Sequence, residues 1–362
     1  MLSTMPSHIT HLLFAERTVR YSGLDALAAP ALRRYLVLGA QGPDIFYHNQ
    51  RRRPTGLAYG SLMHRHGYGS AVAHMVDWAR VHGYGRHSWP IAWAVGFVGH
   101  AILDRATHPF INAHSGWVDQ DDPATTRYRS MHPFLERLID VELLRRDRGC
   151  HPNDIDFHSQ VDCGDNPPGE WVAMFASALR QTYRKAERDG LLERRLESAY
   201  LDTIGYYRFT NLIDTTFLER GLAREQAHAE ASSSRWLSIV HPLEVPQEID
   251  VLNLQQKPWA HPCDPADTRT SSFVDLYESA LVPALAAIDA IVSAFDSPRD
   301  DARALIERTV ANHNLSDGRP TEHPCRKVHA TPLPLPELRD RIADSIRHGR
   351  GGHPDRVTDR LD

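Results

Sequence analysis

The chain has no uninterrupted apolar run of the ~18 residues that a membrane helix requires. The stretch from Trp89 to Leu103 is shorter and carries His100. Nor does MLSTMPSHITHLLFAER read as a secretory leader, because it has neither a basic start nor a continuous apolar stretch. The expectation is a protein without an integral membrane segment. Cysteine is scarce: Cys150, Cys163, Cys263 and Cys325 are the four in 362 residues, with no C-x-x-C pair. Such spacing predicts free thiols in a reducing, cytoplasmic setting. His261-Pro262-Cys263 and His323-Pro324-Cys325 look alike, but each sits in a Pro-rich loop and is not read as a zinc site. Excess charge is also missing. A net charge of -5 and a pI near 6.5 leave no strong nucleic-acid signature. Period-two alternation is scarce and no internal repeat is evident, which excludes a sheet architecture.

What remains is a helical chain in which hydrophobic residues, at 41%, suffice for a core. The fold expected is all-α: one large multi-helix domain over residues 1–315, then an extended, partly flexible segment over 316–362 with an irregular Pro-rich character. Helices are expected from Ser7 (with Met5 a possible start of the protein), over 23–38 with a break at Pro30, and over 60–82. Others follow over 171–188, 191–220, 273–295 and 298–310. Residues 245–272 read as an irregular crossing, 331–336 as extended, and 350–362 as a frayed tail.

The abundant residue is histidine, 22 in all, the commonest metal ligand as well as a general acid or base. His100, Asp104 and His108 step by four along an apolar helix that Pro109 is expected to end. A carboxylate between two imidazoles in apolar surroundings is costly unless a cation lies between them. Alone, the run could also be a polar stripe meeting solvent. A second helix repeats the spacing, with His132, Glu136 and Asp140 on one face. His8 and His11 neighbour each other on the first helix, and Gly42-Pro43-Asp44 is a rigid turn presenting Asp44, as a ligand or a simple cap. His64 and His66 cannot share a helix face, so at most one joins a site; His74, His82 and His87 read as surface or interhelix residues. Arg51, Arg52 and Arg53 form a basic loop, solvated or facing an anionic substrate. Asn112 to Arg129, with Asp119, is expected to be a loop over or beside the site.

The candidates collected are His11, Asp44, His64, His100, Asp104, His108, His132 and Glu136, too many for one four-coordinate zinc and suited to two or three ions. Paired metals form a clamp for phosphoryl chemistry. With these residues the sequence resembles the zinc-dependent phospholipase C family, related in fold to the S1/P1 nucleases. The likeness is dense over residues 5 to about 145. It extends to Trp259-x-x-Pro262, Ser272-Phe273-x-x-Leu276-Tyr277 and Asn314 to Pro320, where the intracellular branch is the closer one. The resemblance implies one zinc held by Asp44, His64, His100 and Asp104, and a second by His108, His132 and Glu136. It implies a third ion that shares Asp104 and uses His11. Secreted members complete that third site with an N-terminal Trp, for which His8 or a processed N-terminus is the candidate substitute here, and their spacing between the Asp104 and His108 positions is longer.

The activity this implies is hydrolysis of a phosphoester by metal-activated water, with Asp44 or Glu136 orienting or deprotonating the water. Arg51, Arg52 and Arg53 would bind the anionic substrate: a lipid headgroup, a nucleotide or a small phosphoester. His8, Asp119 and Asp140 are expected to support the ligands. Two alternatives share the residues: iron or manganese redox chemistry on the same scaffold, and a non-catalytic metal-binding protein with a closed site.

Overall fold

A computed structural model describes residues 8–164, 166–210, 223, 236–323 and 325–347. In chain order the helices are α1 (His8–Tyr21), α2 (Pro30–Gly39), α3 (Ile45–His48), α4 (Leu57–Arg65), α5 (Tyr68–Val81), α6 (Trp89–Ser115) and α7 (Met131–Arg148). After α8 (Phe157–Val161), α9 (Gly169–Thr182), α10 (Arg184–Glu187) and α11 (Leu192–Thr210) comes the antiparallel hairpin of β1 (Trp259–His261) and β2 (Asp264–Arg269). Among the described residues four further helices follow: α12 (Phe273–Ser279), α13 (Leu281–Ser293), α14 (Arg299–Val310) and α15 (Leu335–Arg347). The fold is all-α, as expected. The expected helix start at Ser7 and the Met5 question lie outside the described residues, as do the 211–220 part of the helix expected to Arg220 and the 350–362 tail.

Helix α6 is the axis. It packs on α1, α2, α5, α7, α12, α13 and β1, and its Ile91, Trp93, Phe97, Phe110 and Ile111 are buried in the common core. Its approach to α2 is a backbone one: a side chain at Gly96 would overlap the Leu36 carbonyl, and one at Gly39 the Trp93 carbonyl. Trp93 stands edge-on to Trp171 of α9 at 5.2 Å, locking that helix to the axis.

Several boundaries differ from expectation. α6 runs through Pro109 to Ser115. Proline removes one helical hydrogen bond, but Phe110, Ile111 and Ala113 are buried on the far side and their packing outweighs it. The loop expected from Asn112 therefore starts later. The helix expected over 60–82 is two, α4 and α5, because Gly67 turns the chain with φ +82°. The one expected over 273–295 is also two, α12 and α13, parted at Ala280. Together, Phe273–Asp296 are long and apolar enough by length and composition to cross a membrane, which a count of uncharged runs missed. One face of the stretch, Ala284, Ala287, Ile288 and Ile291, packs in the core, and no membrane-spanning segment is clearly indicated.

The boundary drawn between residues 315 and 316 cuts across a strap bonded to the helical body. Leu315 N–H donates to the His64 carbonyl at 2.8 Å, Thr331 N–H to Ala113 at 2.9 Å and Leu333 N–H to His114 at 2.8 Å. Beyond it Leu335 and Leu338 of α15 are buried in the main core. Cys263, after β1, and Cys325, on the strap, form a disulfide. This corrects the expectation that all cysteines are free; Cys150 and Cys163 are. The tertiary contact that makes the bridge is visible next to it, where Val328 N–H donates to the Pro262 carbonyl at 2.8 Å. The expectation of a reducing compartment rested on free thiols and loses that support. Closing a loop of 62 residues restricts the unfolded chain by about 4 kcal/mol. Replacing both cysteines with Ser is expected to cost ~2–4 kcal/mol in a denaturant melt. Thiol titration of the unfolded, unreduced protein should find two reactive groups, and four would contradict the bridge.

Candidate metal centre

Each ligand candidate is held by a different local device. α6 projects His100, Asp104 and His108 inward at successive turns, and all three are buried. α7 brings His132 and Glu136 to the same place by the same periodicity; it starts at Ser130, whose φ of +64° is a left-handed conformation that redirects the chain. α4 contributes His64 from its last turn, and α1 contributes His11. Asp44 ends a single helical turn, Gly42–Asp44.

The structure brings these eight side chains together. Potential ligand atoms of Asp44, His64, His100 and Asp104 lie within 4.8 Å of one another, as do those of His108, His132 and Glu136. Asp104 stands between the groups. Its Oδ2 is 3.1 Å from His100 Nε2 and 4.0 Å from His64 Nε2, while its Oδ1 is 3.2 Å from His11 Nε2 and 3.6 Å from His108 Nε2. Asp44 is 3.2 Å from His64 and 3.4 Å from His100. Glu136 Oε1 is 3.2 Å from His132 and 3.5 Å from His108.

The hydrogen bonds behind the ligands decide what these distances mean. Nδ1 of His64, His100 and His108 meets the carbonyls of Gly60, Ala40 and Leu315 at 2.8, 3.0 and 3.0 Å. A carbonyl only accepts, so each Nδ1 carries the hydrogen, and in the neutral ring the Nε2 lone pair faces inward. Lone pairs of Nε2 and carboxylate oxygen repel unless a metal ion or a proton lies between them. Among the buried atoms left without a hydrogen-bond partner are six of the cluster: His100 Nε2, His132 Nε2, Asp44 Oδ2, Glu136 Oε2 and both oxygens of Asp104. Ligands ~2.1 Å from a shared tetrahedral zinc sit about 3.4 Å apart, which is the range of the nitrogen–oxygen separations here. The residues fit divalent metal ions.

Electrostatics point the same way. Burial opposes ionisation of Asp104, but His100 and His108 overcome it and hold the carboxyl well below its ordinary range. Burial likewise opposes ionisation of Glu136, which His132 and His108 outweigh, lowering it. Desolvation lowers His132 despite Glu136 beside it, keeping that ring neutral and ready to ligate. Gly42 is part of the construction: its φ is +55°, and a side chain there would run into the His100 imidazole. Gly42→Ala is therefore expected to combine ~1–3 kcal/mol of backbone strain with displacement of His100. Competition against a chelating dye should show weaker metal binding at unchanged helical circular dichroism; wild-type affinity would contradict this role.

The supporting residues fall out differently. His8 does not join the cluster. Its Nδ1 accepts from the buried Arg137 guanidinium, and its ring packs among Phe157, Tyr207 and His241. Asp140 accepts from Thr10 N–H and Oγ1, both at 2.8 Å, and from His241 Nε2 at 2.9 Å. It thus fastens α1 to α7 one residue from His11. His8, Asp140 and His241 are close enough to suggest another metal group, but Arg137 already supplies the cation there, 3.3 Å from Asp140. Asp119 is exposed and belongs to its own turn, where its Oδ1 accepts from Asp121 N–H at 3.0 Å. That corrects its expected supporting role.

The basic loop is also turned elsewhere. Arg52 pairs with Asp202 at 3.0 Å, Arg53 donates to the Gln50 and Arg52 carbonyls, and Arg51 lies over the Phe209 ring. Among the described residues, none pairs with a cluster carboxylate. Asp202 also takes the backbone N–H groups of Arg51 and Arg52, both at 2.9 Å, so it shapes the loop. Sequence reasoning missed two groups beside the cluster. Tyr47 has its ring 5.0 Å from that of His64; burial first, then Asp44, pushes its phenol up to about 12. Lys327 comes from the strap, and no spacing in the sequence links it to the ligands. Of the neighbouring histidines, His64 joins the site and His66 instead faces Tyr183.

Fold and site together define an all-α protein whose buried histidine and carboxylate clusters could hold metal ions. Comparison with protein-family models, with curated proteins and with solved structures found no match for the chain.

Proposed function

We propose that the protein is a zinc-dependent phosphoesterase, similar to the phospholipase C family in its ligand series, working through a di- or trinuclear site. The observation that carries this reading is Asp104, whose two oxygens face different histidines, as a carboxylate shared between ions would. Bound divalent ions would lower the pKa of a coordinated water toward neutrality and neutralise the oxygens of a phosphoester. The chain's own part is to aim and hold. Asp44 and Glu136 each keep one oxygen without a hydrogen-bond partner, so either can orient the attacking water or accept its proton. The Gly60, Ala40 and Leu315 carbonyls fix three histidines in the ligating tautomer. Ligands of nitrogen and carboxylate oxygen without thiolate suit zinc, and manganese or iron next.

The test is elemental analysis of protein purified without chelators, alongside turnover of generic phosphomonoester and phosphodiester substrates. At least two ions per chain and metal-dependent hydrolysis are expected. Substoichiometric metal with no turnover across added divalent ions would sink the reading. Stoichiometric metal with no turnover would favour the non-catalytic alternative.

A further inference from the structure

Lys185, Lys257 and Lys327 are the lysines among 41 basic residues, and the charge of Lys327 acts on the cluster residue His132. It is half-buried on the strap, two residues past Cys325. Its Nζ donates to Asn112 Oδ1 at 2.6 Å and lies 5.7 Å from the centre of the Trp117 ring. Asn112 is one helical turn beyond His108, and its own Nδ2 donates to the Ser316 carbonyl at 2.9 Å. The Leu315 carbonyl beside it orients His108. The ammonium is thus tied to the helix face and the strap segment that build the second cluster, and its charge is felt at His132.

What Lys327 lacks is a counter-ion. Among the described residues no carboxylate comes within 4.0 Å of it, and of its three N–H donors only one has a partner. Burial pulls its pKa down to about 8, with Asp317 acting the other way, which leaves it charged at neutral pH. A half-buried ammonium without a counter-ion is costly, and an anion beside it removes the cost. His132, whose pKa burial lowers and the Lys327 charge lowers further, is at 13% side-chain exposure the most open of the second-cluster ligands.

We propose that Lys327 binds a non-bridging oxygen of the substrate phosphate at the second cluster. Its hydrogen bond to Asn112 orients it and leaves N–H groups for the phosphate oxygen. This rests on the phosphoesterase reading and supplies the cation that Arg51, Arg52 and Arg53 were expected to provide. Lysine is suited to the role as a compact point charge that recognises phosphate without a fixed fork geometry.

Inorganic phosphate is the probe, titrated calorimetrically into the zinc-loaded full-length chain, with metal content and melting temperature measured on each variant. Lys327→Gln is expected to weaken phosphate binding about tenfold or more at unchanged metal content, with part of the affinity restored by Lys327→Arg. Asn112→Ala breaks the same hydrogen bond but keeps the charge, and should weaken binding by less. Wild-type phosphate affinity in Lys327→Gln overturns the proposal and leaves the phosphoesterase reading standing. An equal loss in Asn112→Ala and Lys327→Gln overturns it in favour of a structural tie. Failure of the zinc-loaded wild type to bind phosphate removes both the proposal and the reading beneath it.

Discussion

Asp104→Asn is expected to strip the protein of more than one metal ion. Oδ1 of Asp104 faces His11 and His108, and Oδ2 faces His100 and His64. The amide keeps the shape but surrenders the charge and one of the two acceptors. A ligand serving one ion would, on replacement, empty one site; a shared ligand disturbs each site it joins. Partners outside the ligand shell alone are worth about 10–100-fold in metal affinity, so losing a shared ligand should weaken metal binding by more than about 100-fold. Glu136→Gln is the comparison, because Glu136 faces only His108 and His132 among the cluster histidines. Elemental analysis of both variants decides the matter. Loss of a single ion from Asp104→Asn, with the remainder held at wild-type affinity, would refute the sharing.

Removing the metals altogether should cost the fold dearly. Asp44, Asp104 and Glu136 are buried within one small volume, and without ions their charges are balanced only by whatever protons the histidines retain. A ligand present at 1,000 times its Kd contributes about 4 kcal/mol per site, so two sites amount to about 8 kcal/mol. At roughly 2 °C per kcal/mol for a chain of this size, chelation is expected to lower the melting temperature by about 10 °C or more.

The gap between loaded and stripped protein should also depend on pH. In the metal-free chain burial opposes a charged His108, but Asp104 and Glu136 outweigh burial and raise its pKa to about 9. A pKa above the unfolded value of about 6.5 means that this pairing stabilises the stripped fold fully below that pH, and fades as pH rises through about 9. Metal binding needs the deprotonated ring and strengthens over the same window. The melting gap should therefore widen from about pH 6.5 to about pH 9. A gap that narrowed would mean His108 does not ligate.

Much of the site was legible because helix geometry is local. His100, Asp104 and His108 share a face whatever surrounds them, and so do His132 and Glu136. The same geometry limited His64 and His66 to at most one ligand, without choosing between them. Legibility failed where a residue's role depends on partners distant in sequence. Asp119 has a metal-ligand side chain but spends it closing its own turn. Arg52 reads as a free cation until Asp202, 150 residues away, takes it. Asp140 continues the ligand spacing of α7, and what separates it from Glu136 is that Thr10, Arg137 and His241 surround it. The single helix expected over 60–82 failed at Gly67, where Gly67 N–H meets the Asn312 side chain at 2.6 Å.

By itself the sequence determined the helical class, the inward faces of α6 and α7, and the five ligand candidates on them, because apolar period and four-residue spacing act through the rigid geometry of one helix. Tertiary structure alone decided that Asp44, His64 and His11 meet those faces, that Asp104 lies between two groups, and that three carbonyls fix the tautomers. It also decided that Cys263 bridges to Cys325 and that the strap sets Lys327 beside the second cluster. Those outcomes are contacts between segments up to about 200 residues apart, formed when burial of the common core packs the chain around α6, and no local period encodes them.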